Sequence, residues 1–357
     1  TLSFTFDGKQ YTGHPGDTLA SALLANNVRL MGRSFKYHRP RGPLTAGSEE
    51  PNAIVELRSG ARQEPNTRAT TAELFEGLAA KSQNRWPSLA FDAMAINDRF
   101  SNFLTAGFYY KTFMWPNWHL FEPMIRRMAG LGSVTSDVDD SFVADQLYDN
   151  CDTLVVGGGA SGLSAARAAA EAGQNVVLID DQRDLGGSLF RQAAVEAIPP
   201  RDWIAEQATA IKAAGGRVLS ETTAFGVFEH RMVGMISNRG FGTAPRLTRM
   251  RVKRLILASG ALDRPMTFAG NDRPGVMSLI AAQEYFARYG VQSGRNAVAI
   301  SNNSCADASI DVLMKAGMQI QTVAVDAGSF SVQGGKQISG LRAGTTTFPA
   351  DTVLVSG

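Results

Sequence analysis

The stretch CDTLVVGGGASGLSAARAAAEAGQNVVLIDD, which begins at Cys151, places glycines at the spacing that pyrophosphate-binding turns require. Gly157, Gly159 and Gly162 fit the pattern G-x-G-x-x-G between an apolar strand and an alanine-rich helix. Gly157 allows a tight turn, Gly159 lets a pyrophosphate approach the backbone, and Gly162 lets helix and strand pack closely. The amides at the start of the helix then face the phosphates. The stretch therefore predicts a dinucleotide-binding site.

An acidic residue ends the second apolar strand, NVVLID, at Asp180. A carboxylate at this place accepts hydrogen bonds from the ribose hydroxyls of an adenosine and repels a 2′-phosphate, which disfavours NADP. FAD and NAD present the same adenosine diphosphate half, so the residues leave both open. The segment DLGGSLFRQ, 184–192, is either an element beside the pyrophosphate or an ordinary turn. The predicted cofactor-binding residues are Gly157, Gly159, Ala160, Ser161, Gly162, Asp180, Asp181, Gly186, Gly187, Ser188, Ser259 and Gly260.

A second strand–helix unit begins at NAVAI, but its turn reads SNNSCAD, 301–307. Asn302, Asn303 and Cys305 stand where glycines would admit phosphates, so we expect this unit to keep the fold without holding a dinucleotide. Asp263 and Arg264 follow a strand end and are possible further cofactor contacts.

The cysteines and histidines suggest no chemistry of their own. Cys151 and Cys305 are the two cysteines of the chain, and we expect both to be small buried residues without redox function. No metal site and no catalytic residue is predicted, because the histidines His14, His38, His119 and His230 show no metal-ligand spacing and we interpret them as solvated or structural. His38 lies in the basic stretch KYHRPRG, which is either a solvated loop or a contact for a phosphate or an acidic partner.

The 357 residues suggest two or three domains. The hairpin LSFTF-DG-KQYTG, a following helix and the strand NAIVEL predict a β-grasp, ferredoxin-like module over 1–60. An aromatic-rich connector follows over 61–150, then a first dinucleotide-binding domain over 151–290 and a second, Rossmann-like unit over 291–357 that ends as if truncated. The predicted class is α/β, a two-dinucleotide-binding-type FAD/NAD(P)-binding fold preceded by a β-grasp module without iron–sulfur ligands.

The aromatic side chains of the connector, as in GFYYKTFMWPNWHLF, are costly to leave in water. They pack either against the nucleotide domain or against a partner subunit. The net charge of +2 gives no reason to expect nucleic acid or an anionic membrane as a partner. No signal peptide or membrane-spanning run is evident in the sequence, so we expect a cytoplasmic protein.

Several motifs occur together in an order that resembles one family. They are RSFKYHRPRG (33–42), SEEPNAIVEL (48–57), AGFYYKTFMWP (106–116), the glycine loop and NDRPGVM (271–277). In these motifs the chain resembles the N-terminal part of the α subunits of heterotetrameric sarcosine oxidases. Several relatives carry cysteines for a [2Fe–2S] cluster just after HRPRG, whereas this chain reads PLTAGSEEPNA there. Without thiolates we expect no cluster.

The resemblance implies a subunit that binds NAD at the glycine loop as a structural cofactor. FAD and FMN would belong to or with the partner β subunit, and tetrahydrofolate to a C-terminal region absent from this chain. The partners would be β, γ and δ subunits, and the complex would oxidise sarcosine to glycine with hydrogen peroxide and a folate-accepted one-carbon unit. This chain alone would not be catalytic. The alternatives are a subunit of another amine or amino-acid dehydrogenase with FAD at 157–162, or a nucleotide-stabilised scaffold.

Overall fold

The structure is a computed structural model that describes residues 1–104, 107, 112–129, 132, 135, 143–238 and 243–356, without the side chains of 127–129 and 305. Residues 106 and 108–111 of the motif AGFYYKTFMWP lie outside the described residues. The chain divides into two compact units. Unit 1 comprises residues 1–138 and 263–357, and unit 2 comprises residues 139–262. None of the described helices is long and apolar enough to cross a membrane.

Unit 1 begins with a five-stranded mixed sheet in the order β2-β1-β7-β5-β6. The predicted DG turn joins β1 to β2, with both Asp7 and Gly8 at positive φ, as two-residue hairpins require. The predicted helix α1 also forms, and its N-cap Thr18 exchanges hydrogen bonds with Ser21. The elements are β1 Leu2–Phe6, β2 Lys9–Gly13, α1 Leu19–Ala25, β3 Gly32–Arg33, β4 Pro40–Arg41, β5 Ile54–Leu57, β6 Glu64–Arg68 and β7 Ala79–Ser82.

The N-terminal sheet continues past residue 60. Strand β7 pairs in parallel with β1 and antiparallel with β5, and β6 pairs with β5. Both strands lie in the segment described above as a connector. They are short and consist of polar or small residues, EPNTR and AAKS, so their apolar content gives little sign of a strand. The remainder of the connector that is described holds a 3-10 segment, Ala93–Phe100, and the helix α2, Trp118–Ala129.

Unit 2 is a six-stranded sheet in the order β10-β9-β8-β13-β12-β11. Strands β8, β9, β10 and β13 run parallel, and β11 and β12 form an antiparallel extension of β13. One face packs against helices α3 and α4 through an apolar core that includes Val155, Leu163 and Ile211. The elements are β8 Asp145–Val156, α3 Ala160–Glu171, β9 Val176–Ile179, α4 Pro200–Ala213, β10 Arg217–Leu219, β11 Thr222–Phe228, β12 Met232–Ser237 and β13 Arg246–Leu257.

The rest of unit 1 is a parallel sheet in the order β14-β20-β15-β16 with an antiparallel sheet β17-β18-β19. Its residues share one core with the N-terminal sheet: Tyr285 is fully buried with Phe4 and Leu19, and its hydroxyl donates to the Thr45 carbonyl at 3.0 Å. The elements are β14 Val276–Ser278, α5 Leu279–Tyr289, β15 Asn296–Ser301, α6 Ser304–Lys315, β16 Gln319–Ala324, β17 Phe330–Gly334, β18 Ile338–Ala343, β19 Thr346–Pro349 and β20 Thr352–Ser356. The domain limits predicted from the sequence stay a prediction.

Candidate functional site

The glycine turn of unit 2 joins the end of β8 to the start of α3. Gly157 has a φ of +110°, and a Cβ atom placed on it would lie 2.7 Å from the carbonyl carbon of Ala258. Gly162 lies in the first turn of α3, and a Cβ there would lie 2.9 Å from the carbonyl carbon of Gly157. Both glycines are therefore required by the packing of the turn itself, whether or not a ligand is present.

Gly159 differs from Gly157 and Gly162 because none of the described residues fills the space beside it. A Cβ atom at Gly159 would approach only the carbonyl oxygen of Gly186, at 4.0 Å. Its φ of −76° and ψ of −172° are accessible to any residue. No steric or conformational demand of the chain explains a glycine here. The open space is the cradle that a pyrophosphate against the backbone needs.

The start of α3 is also open to an anion. Gly159 is its N-cap and supplies no side-chain hydrogen bond to the first amides. Among the described α-helices, side chains cap α1 from Thr18, α5 from Ser278 and α6 from Asn303. Uncapped amides together with the helix dipole favour a negative group, so the start of α3 suits a phosphate.

Asp180 lies beside the glycine turn, at the end of β9. Its Oδ2 accepts a hydrogen bond from the Gly158 amide at 2.5 Å, and its Oδ1 accepts one from the Gln182 amide at 2.8 Å. Each carboxylate oxygen has more than one lone pair, so hydroxyl groups of a ribose can still donate to it. Gly158 was not among the predicted residues, although the run of three glycines was a sign of it. A Cβ there would lie 2.6 Å from Leu185 and 3.0 Å from Asp180 Oδ2.

The segment 184–192 runs beside the glycine turn. The Gly186 amide donates to the Gly158 carbonyl at 2.9 Å, and Gly159 and Gly186 form a parallel bridge. Gly186 and Gly187 both have positive φ, and Gly187–Arg191 forms a short 3-10 helix. Of the two interpretations of this segment, the structure supports an element beside the predicted pyrophosphate position.

The remaining predicted residues of unit 2 surround the same turn. The Ser259 amide lies 3.1 Å from the Cβ position of Gly157, and Gly260 follows with a φ of +74°. The predicted residues thus meet at the carboxyl ends of β8, β9 and β13, where ligands bind in open parallel sheets. Those with exposed side chains or backbone are Ser161, Asp181, Ser188, Ser259 and Gly260. That they bind a cofactor stays a prediction.

Asp263 and Arg264, named above as possible cofactor contacts, belong to unit 1. There they line a small crevice with Leu44, Met266 and Phe268. The structure therefore does not group them with the glycine turn of unit 2.

The turn of the second strand–helix unit is filled by a side chain. Asn303 caps α6, where its Oδ1 accepts from the Ala306 amide at 3.0 Å. Its Nδ2 donates to Ser356 Oγ at 3.1 Å. The amides that a phosphate would use are thus partly occupied by the protein. This geometry agrees with the expectation that no dinucleotide binds there, and the expectation stays a prediction.

One interpretation made from the histidines and cysteines, that of His38, is wrong. His38 is neither a solvated loop residue nor a surface contact, because its side chain is 4% exposed and its Nδ1 lies 2.7 Å from Asp92 Oδ2. The two residues are far apart in sequence, so no local pattern indicated the pair. Cys151 is buried as predicted, and burial raises the pKa of its thiol to about 11. The side chain of Cys305 lies outside the described part of the chain.

The loop after HRPRG is organised around a buried carboxylate. Glu50 is 1% exposed. Its Oε2 accepts from the amides of Leu44 and Thr45 at 2.9 and 2.7 Å, and its Oε1 accepts from those of Asn52 and Ala53 at 2.7 and 2.9 Å. Burial raises the pKa of Glu50 against the effect of these hydrogen bonds. The sequence reveals a glutamate in this loop but no sign that its carboxylate is the centre of it.

Two family models match the chain. The first, described as a 2Fe-2S iron-sulfur cluster binding domain, matches residues 1–85, and the second, described as FAD dependent oxidoreductase, matches residues 152–226. The residues of the first match do not fit a cluster. They include no cysteine, and the amides of the loop already donate to Glu50. Among the described residues no group of His, Cys, Asp and Glu side chains could hold a metal ion.

The glycine turn falls within the second match, and its residues fit a dinucleotide on the evidence of the open space at Gly159 and the uncapped start of α3. In overall fold the chain is similar to L-proline dehydrogenase from P. horikoshii, with a TM-score of 0.69 at 19% identity over 99% of this chain and 59% of that one. The fold is therefore that of an α/β FAD-dependent oxidoreductase preceded by a small ferredoxin-like domain, as predicted.

Curated relatives give a closer likeness. The sarcosine oxidase subunit alpha of Rhizobium meliloti (strain 1021) is 46% identical over 90% of this chain, and that of Corynebacterium sp. (strain P-1) is 32% identical over 85%. This chain spans 34% and 28% of their lengths. The resemblance predicted from the motifs is thus confirmed, and over nine tenths of its length the chain is a homologue of the sarcosine oxidase alpha subunits.

Proposed function

We propose that this chain is the NAD-binding part of an α subunit in a heteromeric sarcosine oxidase, and that the NAD is structural. The observation that carries the proposal is the glycine turn: an open backbone at Gly159, an uncapped helix start and the Asp180 carboxylate lie side by side. The sequence similarity to sarcosine oxidase alpha subunits supports a place in a multi-subunit complex. The complex oxidises sarcosine to glycine with hydrogen peroxide and a folate-accepted one-carbon unit.

Two features elsewhere in the chain favour a structural role for the dinucleotide. A nicotinamide that shuttles hydride must leave its site or meet a flavin. The second strand–helix unit has Asn303 at the place a second pyrophosphate would take, and Cys151 is buried with its pKa raised, away from any thiolate chemistry. These observations favour a bound nucleotide that supports the fold. FAD and FMN then belong to the β subunit or its contact with this one, and γ and δ subunits complete a cytoplasmic assembly.

A second candidate is FAD at the same turn, because the family model that matches residues 152–226 is described by its flavin. The adenosine diphosphate half is common to both cofactors, so the described contacts of Asp180 and Gly159 serve either.

The experiment is to denature the purified protein and analyse the supernatant. We expect a colourless supernatant that contains one NAD per protein chain. A yellow supernatant with flavin absorption near about 450 nm would instead establish FAD at the turn. If the isolated chain oxidised sarcosine fully, the proposal that catalysis belongs to the partner subunits would be wrong.

A further inference from the structure

The motif RSFKYHRPRG has no role in the nucleotide site, yet it packs on the segment 86–104, and the two pieces together carry an exposed apolar surface of unit 1. We name this surface the aromatic face, and its large side chains are 51–82% exposed. At about 150–250 Å² per aromatic residue, five aromatics exposed to this degree present roughly 600 Å² to solvent. That matches the largest patch of an ordinary monomer, about 300–600 Å², and approaches the ~800 Å² that one partner buries in a standard interface. The residues are Phe35, Trp86, Phe91, Ile96, Phe100 and Phe103.

The aromatic face belongs to two segments that are joined by hydrogen bonds and an ion pair. The hairpin 33–42 packs on the segment 86–104 through several side-chain contacts. Tyr37 donates to the Leu104 carbonyl at 2.7 Å, and Asn97 donates to the Lys36 carbonyl at 3.3 Å. Arg39 pairs with Asp98 at 2.7 Å. The exposed side chains therefore stand on one connected base and not on a free linker.

A buried ionic group fixes this base from beneath. Asp92 has a fully buried side chain, with His38 at 2.7 Å and the Arg33 guanidinium at 3.6 Å. The other Asp92 oxygen accepts from the Trp86 amide at 3.2 Å and from the Met94 amide at 3.0 Å. His38 adopts a positive φ of +51°.

Burying such charges adds little stability but can fix one conformation. The ionic group thus presents Trp86 and its neighbours in a fixed arrangement, which lowers the ordering cost of binding.

The charges at the border of the face are mostly positive. Lys36, Arg39 and Arg99 lie on its two pieces, against one carboxylate there that reaches solvent, Asp98. Arg39 and Lys36 also lie over the ring of Tyr37, at 4.9 and 5.2 Å. Aromatic residues with arginine are the composition of interface centres. A partner that matches this face is apolar at its centre and acidic at its border.

We propose that the aromatic face is the docking site for another subunit of the same oxidase, whose contact surface is apolar with an acidic border. This rests on the proposed function, which makes the chain a subunit of a heteromeric enzyme. It adds the place of contact and the chemistry of the partner surface. The connector aromatics were expected to pack either against the nucleotide domain or against a partner subunit, and this proposal assigns them to the partner subunit.

The test is assembly of the full chain with its partner subunits by co-expression and tandem purification. The variant Trp86→Ser/Phe91→Ser removes two aromatic rings of the face, which are 64% and 68% exposed. The matched control is Phe225→Ser/Phe228→Ser, which removes two rings of unit 2 that are each 55% exposed. A third variant, Lys36→Glu/Arg99→Glu, reverses the border charge. Nucleotide content and the thermal unfolding midpoint are measured for each variant.

We expect Trp86→Ser/Phe91→Ser to bind its partner at least tenfold more weakly while keeping its nucleotide and its unfolding midpoint, and the unit 2 control to assemble as the wild type does. The charge-reversal variant should associate more slowly, and its association rate should lose most of its dependence on salt. Assembly of the first variant at wild-type affinity would overturn the docking face and leave the proposed function standing. A wild-type chain that recruits no partner, or that forms a dimer of its own through this face, would refute both.

Discussion

Substitution of Gly159 by alanine tests whether this glycine is needed for nucleotide binding or for the packing of the protein. Gly159→Ala adds one methyl group where the nearest atom of the described residues, its neighbours along the chain aside, is 4.0 Å away, on a backbone that any residue can adopt. Gly162→Ala is the matched control in the same turn. Its methyl group would overlap the Gly157 carbonyl, with 2.9 Å left to the carbonyl carbon.

The two variants should therefore fail in different ways. Gly159→Ala loses no packing, and we expect its free energy of unfolding to stay within about 1 kcal/mol of the wild type. Gly162→Ala must push α3 away from β8, and overpacking of this kind costs about 1–3 kcal/mol. For nucleotide binding we expect the larger loss in Gly159→Ala. Its methyl group stands in the pyrophosphate position, and we expect at least tenfold weaker binding, about 1.4 kcal/mol.

Urea unfolding of nucleotide-free protein gives the first quantity, because bound nucleotide would itself stabilise the fold. Titration calorimetry with NAD and with FAD gives the second. If Gly159→Ala bound the nucleotide as tightly as the wild type, the pyrophosphate would not lie against this backbone. If it unfolded as easily as Gly162→Ala, the glycine would serve packing and the site would lose its main support.

Three further predictions follow from the described contacts. Asp180→Ala should weaken NAD binding by about 1–3 kcal/mol through loss of ribose hydrogen bonds, and an unchanged dissociation constant in calorimetry would place the acid elsewhere. The thiol of Cys151 should resist alkylation at pH 8, because burial raises its pKa to about 11; rapid labelling of this residue in site-resolved mass spectrometry would contradict its burial. Asp351 is buried in part, which raises its pKa, but hydrogen bonds from Thr352 and from the amides of Asn296 and Arg295 outweigh this and leave the pKa lowered. Its ionised form therefore stabilises the fold above the ordinary carboxyl pKa of about 3.9, and this contribution is lost as the pH falls through the lowered value. Asp351→Asn should cost about 1 kcal/mol at pH 7 and show a smaller loss of stability on acidification; equal urea midpoints at pH 7 would show that the carboxylate contributes nothing.

The parts of the molecule that the sequence predicted well are those in which neighbouring residues decide the structure. The glycine turn, with its strand before and helix after it, occupies one short stretch, and its glycines answer steric demands that act over a few residues. The hairpin at Asp7 and Gly8 and the cap at Thr18 are local in the same way.

The parts that escaped prediction depend on residues distant in sequence. Asp92 lies far along the chain from His38, and their pairing turns what reads as a solvated basic loop into a buried ionic group. Strands β6 and β7 are recognisable only once β5 and β1 are present to pair with them. The burial of Glu50 has the same origin, since the loop amides converge on it only in the folded chain.

The carboxylate at the centre of the loop after HRPRG also bears on how a protein can give up a metal centre. Backbone amides aimed at one point need hydrogen-bond acceptors there, but they do not need iron. With the two oxygens of Glu50 as those acceptors, the loop is held by an ordinary side chain. Cysteines introduced into this loop would still find these four amides donating to the glutamate.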